Sequence, residues 1–132
     1  MFRLHRFAFV FAALAVAASA SAQFGHPLKG SWSGDWGAGN SNRQHVVLNL
    51  NWDGKAISGV INPGANEVPL TTATLDPSTW MVHFEGNGKD KNGANVHYVI
   101  DGKVENLGAF QRFITGTWTQ GSEKGTFKVT RN

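Results

Sequence analysis

The chain has 132 residues, no cysteine and a formal net charge of +3. Without cysteine it has no disulfide framework, no thiolate metal site, no cysteine nucleophile and no lipid-bearing cysteine. The positive surplus gives no case for nucleic-acid binding, because two of the cationic side chains, Arg3 and Arg6, stand at the front of an apolar N-terminal run.

That run, "AFVFAALAVAA" after the two arginines and before "SASAQ", reads as a secretory signal peptide over residues 1–22. It is too short to cross about 30 Å of hydrocarbon as a mature helix, and Ala20-Ser21-Ala22 offers an A-x-A cleavage site before Gln23. Its loss removes two arginines and no acid, so the charge falls from +3 to +1. Residues 23–132, about 110 in all, make one domain large enough to bury a core without covalent help. The expected location is secreted or periplasmic, with no membrane association once the leader is gone.

Downstream, no segment of ten residues shows an apolar period of 3.6. Period-two alternation between turn residues predicts eight strands, at roughly 31–37, 44–52, 56–62, 67–75, 79–86, 95–104, 112–119 and 124–131. In "NLNWDGKAISGVI" the Asp53-Gly54 pair suits a two-residue type I′ turn, setting Trp52 opposite Lys55, Leu50 opposite Ile57, Leu48 opposite Gly59 and Val46 opposite Ile61. The next hairpin is expected to fold about Asp90, with Trp80 opposite Ile100, Val82 opposite Tyr98, Phe84 opposite Val96 and His83 opposite His97. Two facing imidazoles, with Glu85 as a third ligand, invite a metal reading. Alternation puts them on the solvent face beside Asn95 and Asp101, so His83 and His97 are read as an exposed, unpaired couple and no metal or other cofactor is expected. Last, Ile114, Gly116 and Trp118 point inward on one strand and Gly125, Phe127 and Val129 on the next.

Eight strands joined as neighbours, with one apolar face, close into an antiparallel up-and-down barrel; the alternative is a β-sandwich. Gly30-Ser31-Trp32 on the first strand and Arg131 at the end of the last resemble the G-x-W and closing basic residue of the calycin barrels, the lipocalin and avidin groups. The resemblance implies that Trp32 plugs a closed end with Arg131 packed across it. The short "SGVI", "TGTW" and "KGTF" segments are more similar to the compact avidin barrel, but no counterpart of its polar biotin ligands is present, so biotin binding is not implied.

Alternating strand direction sends Trp32, Trp52, Trp80, Ile114 and Val129 to the closed end. Trp36, Val46, Ile61, Val68, Phe84, Val96 and Trp118 go to an open end rimmed by "GAGNSNR", "NPGANE", "GNGKDKNG" and "TQGSEK". The expected ligand-lining residues are Trp36, Phe84, Tyr98 and Trp118. The histidines are scattered, there is no G-x-S-x-G or H-E-x-x-H, and Asp35 and Asp101 are assigned to solvent, so no enzyme is expected. The function expected is a secreted, non-enzymatic barrel holding a small apolar or aromatic molecule. The alternatives are a carbohydrate-binding module with exposed tryptophans, or a barrel acting on proteins through its loops. Intact mass of the exported protein is expected to match a chain that begins at Gln23; a mass that retains residues 1–22 would overturn the leader assignment.

Overall fold

A computed structural model describes residues 26–108 and 111–132; the leader assigned to residues 1–22 and its cleavage site lie outside the described residues. Eight strands follow in chain order: β1 (Gly30–Gly37), β2 (Gln44–Trp52), β3 (Ile57–Ile61), β4 (Val68–Asp76), β5 (Met81–Lys89), β6 (Asn95–Glu105), β7 (Phe113–Gln120) and β8 (Glu123–Arg131). Each pairs antiparallel with its sequence neighbours and β8 returns to β1, which closes the barrel. An eight-stranded antiparallel up-and-down barrel is consistent at the coarse level with a calycin-like barrel, and it sets the sandwich aside.

The inward positions supplied by alternation form the core. Leu48, Ile61, Phe84, Ile100, Ile114, Trp118 and Val129 are fully buried, and burial of such side chains stabilises the fold by roughly 1.5–3 kcal/mol each. At Gly34 and Gly116 a Cβ would collide with the backbone oxygens of Lys128 and Asp101, so the neighbouring main chain leaves no room for a side chain there.

Two ends follow from strand direction. One carries the 53–56, 77–80 and 106–112 connections with both described chain ends; the other carries the 38–43, 62–67, 90–94 and 121–122 connections. At the first, Trp32 is fully buried and donates its indole N–H to the Leu28 carbonyl at 2.8 Å. Leu28, also fully buried, is the plug that the alternation pattern did not reveal. Arg112 ties the same segment down by donating to the Pro27 carbonyl at 2.9 Å. Arg131 is the register partner of Trp32, with its side chain lying against Gly30.

Both predicted hairpin registers need correction. In the first, Trp52 stands opposite Ile57, Leu50 opposite Gly59 and Leu48 opposite Ile61, a displacement of two residues. A type I′ turn needs two residues with positive φ, and of this pair only Gly54 has it, at 97°. Instead the Asp53 carboxylate accepts the Lys55 and Ala56 N–H groups, both at 2.8 Å, and builds a four-residue loop. In the second hairpin Phe84 stands opposite Ile100, Val82 opposite Gly102 and His83 opposite Asp101, a displacement of four. Here Asp90 accepts the Asn92 and Ala94 N–H groups, and the loop spans residues 90–94.

The wall has one weak seam. β3 and β4 share only two register pairs, Val60 with Pro69 and Ile61 with Val68. Three local features cause this. Asn62, with φ of 52°, ends β3 by donating its N–H to Val47 and accepting the Val47 N–H at its side chain. Pro69 has no N–H to offer the ladder. A bulge between Leu70 and Thr72 then turns β4 toward β5.

Leu28→Ala is expected to cost about 2–5 kcal/mol and Trp32→Ala about 3–5 kcal/mol in chemical denaturation, as buried truncations. Costs under about 1 kcal/mol for both would show that the segment before β1 is not part of the core.

Candidate functional site

The seam leaves an apolar groove of about 530 Å³ at the end that holds Leu28. β2 brings Trp52 and β3 brings Ile57 to one side; β4 brings Ala73 and Leu75 to the other. Pro77 and Trp80 come from the β4–β5 connection, and His26 and Pro27 from the segment before β1. Trp52 and Trp80 are half-buried.

Local chemistry fixes these two rings. The His26 imidazole stacks on Trp52 with centroids 4.4 Å apart and planes 21° from parallel. The Leu28 N–H donates to His26 Nδ1 at 3.2 Å, so that nitrogen is an acceptor and the proton of the neutral ring sits on Nε2. Burial holds the His26 pKa below its ordinary value, which favours this neutral form. Trp80 has φ of 61°, an outlier for so large a side chain that costs about 1–3 kcal/mol. It is held there because its N–H donates to Asp76 at 2.7 Å while its carbonyl accepts from Val104 at 2.9 Å. Asp76 builds the connection by accepting from the Ser78 N–H and hydroxyl, bonds that also lower the Asp76 pKa, the hydroxyl bond most.

The residues expected to line an open mouth lie together in the core at the other end. Trp36 stacks on Trp118 at 5.9 Å and 19°, while Tyr98 and Phe127 meet Trp118 edge-on at 6.5 and 5.7 Å. Trp36 is 3% exposed, Phe84 and Trp118 are fully buried, and Tyr98 is 8% exposed. Burial also pushes the Tyr98 hydroxyl pKa up. What remains outside them is a polar crevice of about 560 Å³, bordered by Trp36, Ser41, Asn42, Gln44, Glu123 and Lys124. Arg43, which the sequence reading passed over, braces its rim. It pairs with Asp35 at 2.8 Å and donates to the Gly37, Gly39 and Thr126 carbonyls.

On the outer face of β5 and β6 the two histidines are linked through one carboxylate rather than standing opposite each other. His83 Nδ1 meets Asp101 at 2.5 Å and His83 Nε2 meets Glu85 Oε2 at 2.8 Å. His97 Nε2 meets Glu85 Oε1 at 3.0 Å and His97 Nδ1 meets Asn87 at 2.7 Å. The expectation of an unpaired couple is therefore corrected: the four-residue displacement places Asp101 across from His83, and Glu85 lies between the imidazoles. Among the described residues no group of three or more His, Cys, Asp or Glu is arranged to hold a metal ion. Both His83 nitrogens can donate at once only in the imidazolium, and the bond to Asp101, then that to Glu85, raises the His83 pKa.

No family model matches the chain, and neither the curated proteins nor the solved structures contain a significant match to it.

The network has a definite pH signature. Folded His83 holds its proton more tightly than the unfolded chain, so this contribution is complete below the ordinary value of 6.5 and is lost as pH rises through the raised one. Glu85 is held below its ordinary 4.5 by His83 and then His97, so its contribution is present above 4.5 and is lost as pH falls through the lowered value. The stability difference between the native protein and His83→Gln, measured by denaturation across pH, should be largest between those two values and decline on both sides. A difference that does not vary with pH would contradict the network.

Proposed function

We propose that the protein is a non-enzymatic binding barrel that takes one small, largely apolar or aromatic molecule in the groove at the β3–β4 seam. One observation carries the reading: two half-buried indoles, Trp52 and Trp80, flank the groove at the β3–β4 seam, where the two strands share only two register pairs. Concave apolar surface of this size, with a few polar groups at its rim, is the usual setting of a small-ligand site. The strained backbone at Trp80 supports the same reading, because strain of this kind concentrates where a side chain must be presented rather than merely packed. Export through the leader and kinship with the avidin-like calycins belong to the proposal. Gly30-Ser31-Trp32 and the compactness of the barrel favour the kinship.

A second reading, a glycan-binding barrel, is favoured by the crevice beside Trp36, where Ser41, Asn42, Gln44 and Glu123 offer partners for hydroxyl groups. Against it, Trp36 shows almost no ring face to solvent.

N-Phenyl-1-naphthylamine, a neutral aromatic probe, is expected to bind the native protein, alter its tryptophan emission and raise its thermal midpoint with concentration, as linkage requires. Trp52→Ala or Trp80→Ala should each weaken binding by about tenfold, roughly 1.4 kcal/mol. Trp36→Ala should instead act on stability. Undiminished binding in both groove variants would sink the groove reading, and a melting shift with oligosaccharides alone would favour the glycan.

A further inference from the structure

The side chains around the groove share one kind of polar group. Lys55 contributes an ammonium, Trp52 and Trp80 contribute indole N–H groups, and the His26 ring, with its Nδ1 occupied by the Leu28 N–H, contributes Nε2–H. All are donors, and no side chain lining the groove carries a carboxylate, amide or hydroxyl. Among the described residues none of the four donors has a hydrogen-bond partner within the protein, whereas the buried Trp32 indole does. The two carboxylates flanking the groove are turned into their own loops, Asp53 onto the Lys55 and Ala56 N–H groups and Asp76 onto Ser78.

A groove of donors on an apolar floor is complementary to a ligand of acceptors on an apolar body. The body is further specified by the protein's own ring: Trp52 already takes one planar ring, His26, stacked at 4.4 Å and 21°, and a planar aromatic body suits the same groove. We infer that the ligand of the groove is an aromatic carboxylate, its ring laid between Trp52 and Trp80 and its acid group received by Lys55 and the His26 Nε2–H. This rests on the binding reading above and goes beyond it, by fixing the charge and the hydrogen-bonding sense of the ligand. A charge-assisted bond to a carboxylate is about twice as strong as a neutral one.

The test compares two probes of nearly equal shape, 2-naphthaleneacetate and 2-naphthaleneacetamide, by calorimetric titration of the full chain. The acetate is expected to bind about tenfold more tightly than the amide. Lys55→Gln should abolish that preference while leaving the amide within about twofold, and raising the salt from 0.05 to about 0.5 M should weaken the acetate alone. Equal binding of acetate and amide, or a preference untouched by Lys55→Gln, overturns the charge inference and leaves the groove reading standing. Failure of both compounds to bind, or binding unchanged by Trp52→Ala, overturns the groove reading and the inference with it. Lys55 lies exposed in the β2–β3 loop, so loss of folding does not confound the variant.

Discussion

An eight-stranded ring has an interior of nearly fixed width, just enough for its own side chains or one small ligand. Here three indoles point into it. Trp32 occupies one end against Leu28, and Trp36 stacks on Trp118 toward the other, closed in by Tyr98 and Phe127. Their volume decides much of the remainder. At Gly34 and Gly116 a Cβ would collide with the main chain of the neighbouring strand, at Lys128 and Asp101. The groove proposed for a ligand lies outside these rings, in the wall.

The wall yields at one place because the sequence of β4 cannot be laddered on both sides. Pro69 lacks a donor, and the bulge that follows commits the rest of the strand to β5, where its pairing runs from Thr72 to Asp76. β3 is short because Asn62 turns back onto Val47. What would be an edge liability in an open sheet becomes here a bounded apolar cleft, covered by indoles, prolines and the His26 ring. The fold and the proposed site therefore have one origin: the interior is used by the core, and the seam supplies concave surface outside it.

How much of this the sequence disclosed follows from what period-two alternation measures. It reports which face a side chain takes, so the strands and the inward sets Ile114, Gly116, Trp118 and Gly125, Phe127, Val129 agree with the structure. It is blind to an even displacement. The β2–β3 and β5–β6 hairpins are moved by two and by four residues, which keeps the strand side chains on their expected faces and changes their partners, whereas Trp80, expected in the strand opposite Ile100, lies in the β4–β5 connection. The loops made the difference, since Asp53 and Asp90 each bond two N–H groups of their own loop, chemistry that a two-residue turn does not use. The partners of His83 changed for that reason. Leu28 was illegible because it belongs to no strand pattern, and the groove because Trp52 and Trp80 share their end with the buried Trp32. Pro69 in "EVPLTT" was the available signal, a proline inside a strand whose neighbours are both required for closure.

Residue-resolved amide hydrogen exchange tests the seam most directly. In β4 the amides of Thr72–Asp76 that face β5 should be strongly protected, and the intervening amides that face β3 should exchange rapidly, together with those at the Ile57 end of β3. β5, β6 and β7, laddered on both sides, should be protected at successive residues. Strong protection on both edges of β4 would mean that the ring is laddered throughout, and that the groove between β3 and β4 does not exist in solution.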